Sequence, residues 1–164
     1  MGRSDLLPLT KRQLQRAGWN PKTRQSRKFG KIEIPTELKI FDEAREVICE
    51  FGGIKLKAHR PRWRSRWICF SPTKALANIW VDRVAQIAAD VGCPVFPIAI
   101  TDDEYVSVFL AKNGEILGAD CIAHDLYFVW AVDIYAFLNQ IVSGDFGSFV
   151  RMGPIDETAP RDTV

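Results

Sequence analysis

Phe41, Ala44, Val47, Ile48 and Phe51 recur at three- and four-residue spacing, with Asp42, Glu43, Glu46 and Glu50 on the opposite side. That spacing predicts an amphipathic helix. Gly52 stands where a helix commonly ends in a left-handed residue, and Gly53 frees the next turn. Ile54, Leu56 and Ala58 then alternate with Lys55, Lys57 and His59, the period of a half-buried strand. A helix turned sharply into a strand is the seed of an α+β layer, a sheet with a covering helix.

The rest of the chain extends this pattern. A short helix is expected over 9–17, with Thr10 as its candidate cap and Gly18 as its stop. Trp19-Asn20-Pro21 reads as a turn, and 20–33 as a basic surface connection. Trp67–Phe70 reads as a buried strand, after which Ser71-Pro72 opens a second amphipathic helix. Its expected buried face is Leu76, Ile79, Trp80, Val84, Ile87 and Val91, and Gly92 with Pro94 ends it. Val95–Ile100, apolar throughout, is a candidate central strand. An acidic turn at Thr101-Asp102-Asp103-Glu104 leads into a strand over 105–110, and Asn113-Gly114 signals a hairpin returning through 116–122. Asp125 is the expected cap of a final helix that reaches about Val142 and stops at Gly144. That helix is apolar nearly all round, interrupted by Asp133, Asn139 and Gln140, which implies burial on two sides or a partner surface. Beyond Phe149 the chain is polar, with Pro154 and Pro160, and is expected to fray. The division is an extension over 1–8, one α+β domain over 9–149 and a polar tail over 150–164.

A length of 164 residues suits a single domain, and 47% hydrophobic with 26% charged residues is a globular composition rather than a disordered one. No apolar run approaches the roughly 20 residues that span a bilayer, and the N-terminus lacks a signal-like apolar stretch. A cytoplasmic location is the expectation. Cys49, Cys69, Cys93 and Cys121 lie far apart among apolar neighbours, so they read as buried thiols in a reducing compartment. Charge is lopsided. Residues 1–74 hold 18 basic against 7 acidic side chains, a net of +11, and residues 75–164 hold 4 against 13, a net of −9. Such asymmetry serves partner recognition, or is neutralised where the two halves pack together.

Little in the chain points to catalysis. Cys121, His124 and Asp125 sit close in sequence, but nucleophile and base are normally assembled by the fold, so a strand residue, a turn and a cap are the simpler reading. A zinc site would need three or four ligands, and the chain has only two histidines. Neither G-x-x-x-x-G-K-[ST] nor G-x-G-x-x-G occurs, so nucleotide binding is not indicated. Asp102, Asp103 and Glu104 read as a solvated loop or a partner contact. Lys55–Arg66, with Arg60, Arg62, Arg64 and Arg66 interleaved by Trp63 and followed by Trp67, is either a candidate nucleic-acid surface or the charged face of an edge strand.

Several motifs follow one another in a recognisable order. Leu14-x-x-Ala17-Gly18-Trp19-x-Pro21 precedes Arg24, and Glu50-Phe51-Gly52-Gly53-Ile54 closes a helix. Phe70-x-Pro72, then Gly92-Cys93-Pro94-Val95-Phe96-Pro97-Ile98, then a hairpin with Gly114 complete the series. In order and spacing the chain resembles the SUKH-3 branch of the SUKH (Smi1/Knr4-like) superfamily over about residues 9–143, although Lys22 and Thr23 precede Arg24 where a glycine is usual. The resemblance implies a central, mostly antiparallel sheet flanked by helices. It also implies a non-enzymatic bacterial immunity protein of a polymorphic toxin system, without metal or cofactor, that binds and neutralises a cognate toxin. Many such toxins are nucleases, whose phosphate-binding grooves are cationic. The expected contact surface is therefore Asp102, Asp103, Glu104, Asp120 and Asp125, with Tyr105 and Tyr127 as anchors. The alternative is a nucleic-acid-binding module built on Lys55–Arg66.

Overall fold

The structure, a computed structural model, describes residues 5–21, 36, 38–58, 67–101, 103–121, 127–144 and, for the backbone alone, 150–152. Among these, the order is α1 (Pro8–Arg16), α2 (Asp42–Phe51), β1 (Lys55–Lys57), β2 (Trp67–Cys69), α3 (Pro72–Ala77), α4 (Val81–Val91), β3 (Val95–Thr101), β4 (Val106–Ala111), β5 (Ile116–Asp120), β6 (Tyr127–Ala131), α5 (Ile134–Ser143) and β7 (Val150–Met152). The strands form one sheet in chain order, each antiparallel to the next. This is the α+β architecture expected from the sequence.

The sheet is covered on both faces. Val108 and Leu110 join Leu14, Ala44, Phe51 and Phe137 in a core shared with α1, α2 and α5. Phe109, Ala111, Leu117 and Ala119 join Ile79, Val84 and Ile87 of the α3–α4 segment in a second core. Alternate residues of β4 thus feed opposite layers, so both parities are apolar and β3 and β4 are buried along their whole length.

The α2–β1 junction forms as expected, with the two glycines exchanging roles. Gly53, not Gly52, takes the left-handed conformation, at φ 81°. Gly52 has φ −53° and is required for a different reason, because a Cβ there would run into the Ile48 carbonyl oxygen. Gly53 N donates to Phe70 O at 2.7 Å and Phe70 N to Ile54 O at 2.8 Å, which locks the turn against the end of β2.

Four expectations need correction. The second helix is two helices. Ser71 caps α3 by accepting from Lys74 N at 3.4 Å, but Asn78 Nδ2 donates to Lys74 O at 3.0 Å and closes that helix early. Trp80 then falls at the junction and is 75% exposed rather than buried. The expected helix from Asp125 is instead β6 followed by α5, and α5 is capped by Asp133, whose Oδ1 accepts from Ala136 N at 2.7 Å. Tyr127-Phe128-Val129-Trp130 is rich in aromatic and β-branched residues, which favour a pleated surface, and the apolarity all round belongs to a strand and a helix in succession. Thr10 lies within α1, buried, and does not cap it. The four thiols are half-buried rather than fully buried. In addition, β7 pairs with β6 within what reads as tail. The basic segment 59–66 lies outside the described residues.

Candidate partner-binding surface

The chain leaves the sheet at Thr101 and re-enters it at Val106, and the turn between them is held by side chains. The buried Thr101 hydroxyl donates to Asp103 Oδ1 at 2.6 Å and accepts from Val106 N at 3.1 Å. Asp103 Oδ1 also accepts from Tyr105 N at 3.3 Å, an Asx-type closure. Glu104 N donates to Thr101 O at 3.0 Å, which places Glu104 at φ 62°. Left-handed backbone costs a residue with a Cβ roughly 1–2 kcal/mol, and it persists because the surrounding bonds fix it. Glu104 and Tyr105 are exposed at this hydrogen-bonded corner, Tyr105 with 47% of its surface open.

Asp120 ends β5 directly opposite Val106, and Cys121 N donates to Tyr105 O at 2.7 Å. The fold therefore brings Asp103, Glu104, Tyr105 and Asp120 to one end of the β3–β4–β5 meander, although they span 18 positions of sequence. Asp102 and Asp125 lie outside the described residues. Tyr127 must be withdrawn as a surface anchor. It is 4% exposed in β6, packed with Phe109, Leu117 and Ala119, with the Arg83 guanidinium carbon 5.9 Å from its ring centroid. Burial pushes its phenol pKa up, the charge of Asp90 adds to this, and Arg83 opposes it.

The residues considered for catalysis read differently in three dimensions. Cys121 Sγ lies 3.3 Å from Ser107 Oγ, and burial lifts its thiol above the ordinary value despite that bond. A raised pKa keeps the sulfur protonated, the opposite of what an attacking thiolate needs. His124 lies outside the described residues. Among the described residues, no three His, Cys, Asp or Glu side chains gather where they could hold a metal ion. Of the basic stretch, Lys55 and Lys57 are described, exposed on the edge strand β1, with ammonium groups 5.1 Å and 6.0 Å from the Trp67 ring centroid.

Sequence reasoning missed two residues. Trp80 was expected in the core, and the one signal against that placement is Asn78, a residue that competes for helix backbone bonds. Arg83 is the other: it is buried, and its spacing of four from Ile87 puts it on the inward face.

The fold is thus a helix-clad antiparallel sheet with Asp103, Glu104, Asp120 and the exposed Tyr105 gathered at one end of its meander. Comparison with known families identifies which scaffold it is. The model of the SUKH-3 immunity protein family matches residues 7–144, and the chain belongs to that family. Immunity is thus its broad role. No curated protein and no solved structure matches the chain. Among the described residues, no helix is long and apolar enough to cross a membrane.

Proposed function

We propose that this protein confers immunity in the cytoplasm by binding a cognate protein toxin directly, that it performs no chemistry of its own, and that the toxin is a nuclease. The observation that carries this reading is the fixed turn in which Glu104 and Tyr105 are exposed beside Asp103 and Asp120. A nuclease needs a cationic groove to hold phosphate, and carboxylates on a preorganised scaffold occupy such a groove with little ordering cost. Opposite charge on the two surfaces accelerates encounter, and Tyr105 supplies a rigid amphipathic anchor. The raised pKa of Cys121 supports a role without covalent chemistry. The test is co-purification with the proposed cognate toxin domain, sought in the neighbouring reading frame, using wild type and a variant carrying Glu104→Lys, Tyr105→Ala and Asp120→Lys. Wild type retains the toxin and the variant loses it. Equal retention removes this surface from the proposal, and failure of wild type to bind removes direct neutralisation.

The nucleic-acid alternative is less favoured. Lys55 and Lys57 already lie against Trp67, one of the two rings that base stacking would use. A low-salt gel shift that moves with wild type and vanishes when Arg60, Arg62, Arg64 and Arg66 become glutamate would reinstate it.

A further inference from the structure

Trp80 is exposed over 75% of its surface, more than any other large apolar side chain among the described residues. The local structure does not call for an indole there. Trp80 is the N-cap residue of α4, in extended backbone at φ −79° and ψ 142°, and it makes no side-chain capping bond. Serine, threonine, aspartate or asparagine would satisfy a first-turn amide from that position. The chain's entry into the helix is fixed by its neighbour instead. Ile79, 8% exposed, shares the second core with Val84, and an apolar pair at these two positions staples a helix start. Trp80 thus leaves most of its area in water where a small polar residue would serve the helix better.

Contacts on either side of Trp80 fix which end of the sheet carries it. Before it in the chain, Ala75 O lies 3.5 Å from Ser107 Oγ, and Ser107 is two residues along β4 from Tyr105, about 7 Å in a strand. After it, Arg83 lies over the ring of Tyr127, whose register partner Ala119 precedes Asp120. Trp80 therefore sits at the end of the sheet that carries Tyr105, Glu104 and Asp120. The large apolar side chains left exposed among the described residues are Leu7, Leu9, Trp80, Tyr105 and Val132, and the two aromatic ones share this end. The charge around them is mainly acidic. Asp82 and Glu104 are exposed and Asp103 and Asp120 half-buried, against one exposed lysine nearby, Lys74 on α3. Arg83 is sequestered, and Lys57 is turned to Trp67 on the far side of β3.

We propose that Trp80 and Tyr105 together anchor the toxin, the indole of Trp80 filling an apolar pocket whose rim carries lysine or arginine side chains. The inference rests on direct toxin binding and adds the chemistry of the surface that meets it. A basic rim complements Asp82, Glu104 and Asp120, and the pocket takes the ring that water now covers. Tryptophan and tyrosine offer large, rigid contact area at small entropic cost, which is why they dominate the centres of protein interfaces. A single exposed apolar residue needs no explanation, but two aromatic rings set among carboxylates form a patch with a definite complement.

The test is the kinetics of binding to the proposed cognate toxin domain for wild type, Trp80→Ser and Trp80→Phe. Serine can cap α4, so the unfolding midpoint of Trp80→Ser stays within about 4 °C of wild type. Its complex dissociates about thirtyfold faster or more, the scale of a central aromatic anchor. Association changes less than about threefold, because no charge is altered. Trp80→Phe keeps part of the affinity. In wild type, complex formation shields from acrylamide a tryptophan fluorescence component that Trp80→Phe lacks. If wild type and Trp80→Ser bind alike, Trp80 is no anchor, and direct neutralisation stands without it. If Trp80→Ser binds weakly while the indole stays open to acrylamide in the wild-type complex, the loss is indirect and the proposal falls. Should Trp80→Ser fail to fold, the shielding of Trp80 in the wild-type complex decides, and its absence refutes the anchor. If wild type does not bind, direct neutralisation and the anchor fall together.

Discussion

Thr101→Val removes one oxygen from the candidate surface and nearly nothing else. Thr101 is 3% exposed and Val106 4%, so Val106 N–H, which now donates to the hydroxyl at 3.1 Å, would be left in a dry site without an acceptor. A buried donor orphaned in this way costs about 1–3 kcal/mol. The bond from the hydroxyl to Asp103 at 2.6 Å is lost as well, but Asp103 is only half-buried and water replaces that partner at small cost. At about 2–4 °C per kcal/mol for a chain of this size, the midpoint should fall by roughly 2–12 °C. Urea unfolding should show a lower midpoint at unchanged slope, because the area exposed on unfolding is the same. Exchange of the Val106 amide should quicken beyond what the global loss explains. A variant within about 0.5 kcal/mol of wild type, with Val106 exchange unchanged, would refute the claim that this hydroxyl builds the corner.

Three further outcomes follow from the packing and the charges. Gly118→Ala should destabilise by about 1–3 kcal/mol on thermal unfolding, since its Cβ would strike Phe128 Cζ and lie 2.7 Å from Phe128 Cε2 and 3.0 Å from Trp130 Cε3. Asp133→Ala should cost about 1 kcal/mol with a small loss of helix signal in circular dichroism, because Asp133 rather than Asp125 caps α5. Tyr127 has a raised pKa, so the folded state holds the phenolic proton more tightly than the unfolded chain. Its stabilisation is complete below the ordinary value of 10.0 and is lost as pH climbs through the raised one. Unfolding midpoints measured upward from pH 10 should therefore fall more steeply for wild type than for Tyr127→Phe.

Local signals carried much of the fold. Period-3.6 and period-2 patterns placed α2 and β1, because each buries a single stripe, and the Asn113-Gly114 turn placed the β4–β5 hairpin, whose strands face two layers. The failures share a cause. Tyr127 to Val142 is apolar across two successive elements, and a continuous apolar run does not declare its period, so β6 was absorbed into the helix that follows it. In the α3–α4 segment, Leu76, Trp80 and Val84 keep helical spacing across a break that only Asn78 marks. The surface was legible in part. Asp103, Glu104 and Tyr105 announce themselves as an acidic turn, but the approach of Asp120 depends on strand register, and the burial of Tyr127 on helix α4 covering its face. Charge counts alone could not separate an exposed carboxylate from one that builds the turn, as Asp103 does.

The most direct measurement is stopped-flow association of this chain with the proposed cognate toxin domain, from about 0.01 M to about 1 M salt. Over that range the Debye length shrinks from roughly 30 Å to roughly 3 Å. Binding through the acidic corner predicts an association rate that falls tenfold or more, and a wild-type rate at low salt well above that of Glu104→Lys with Asp120→Lys. A rate independent of salt and indifferent to both substitutions would contradict it.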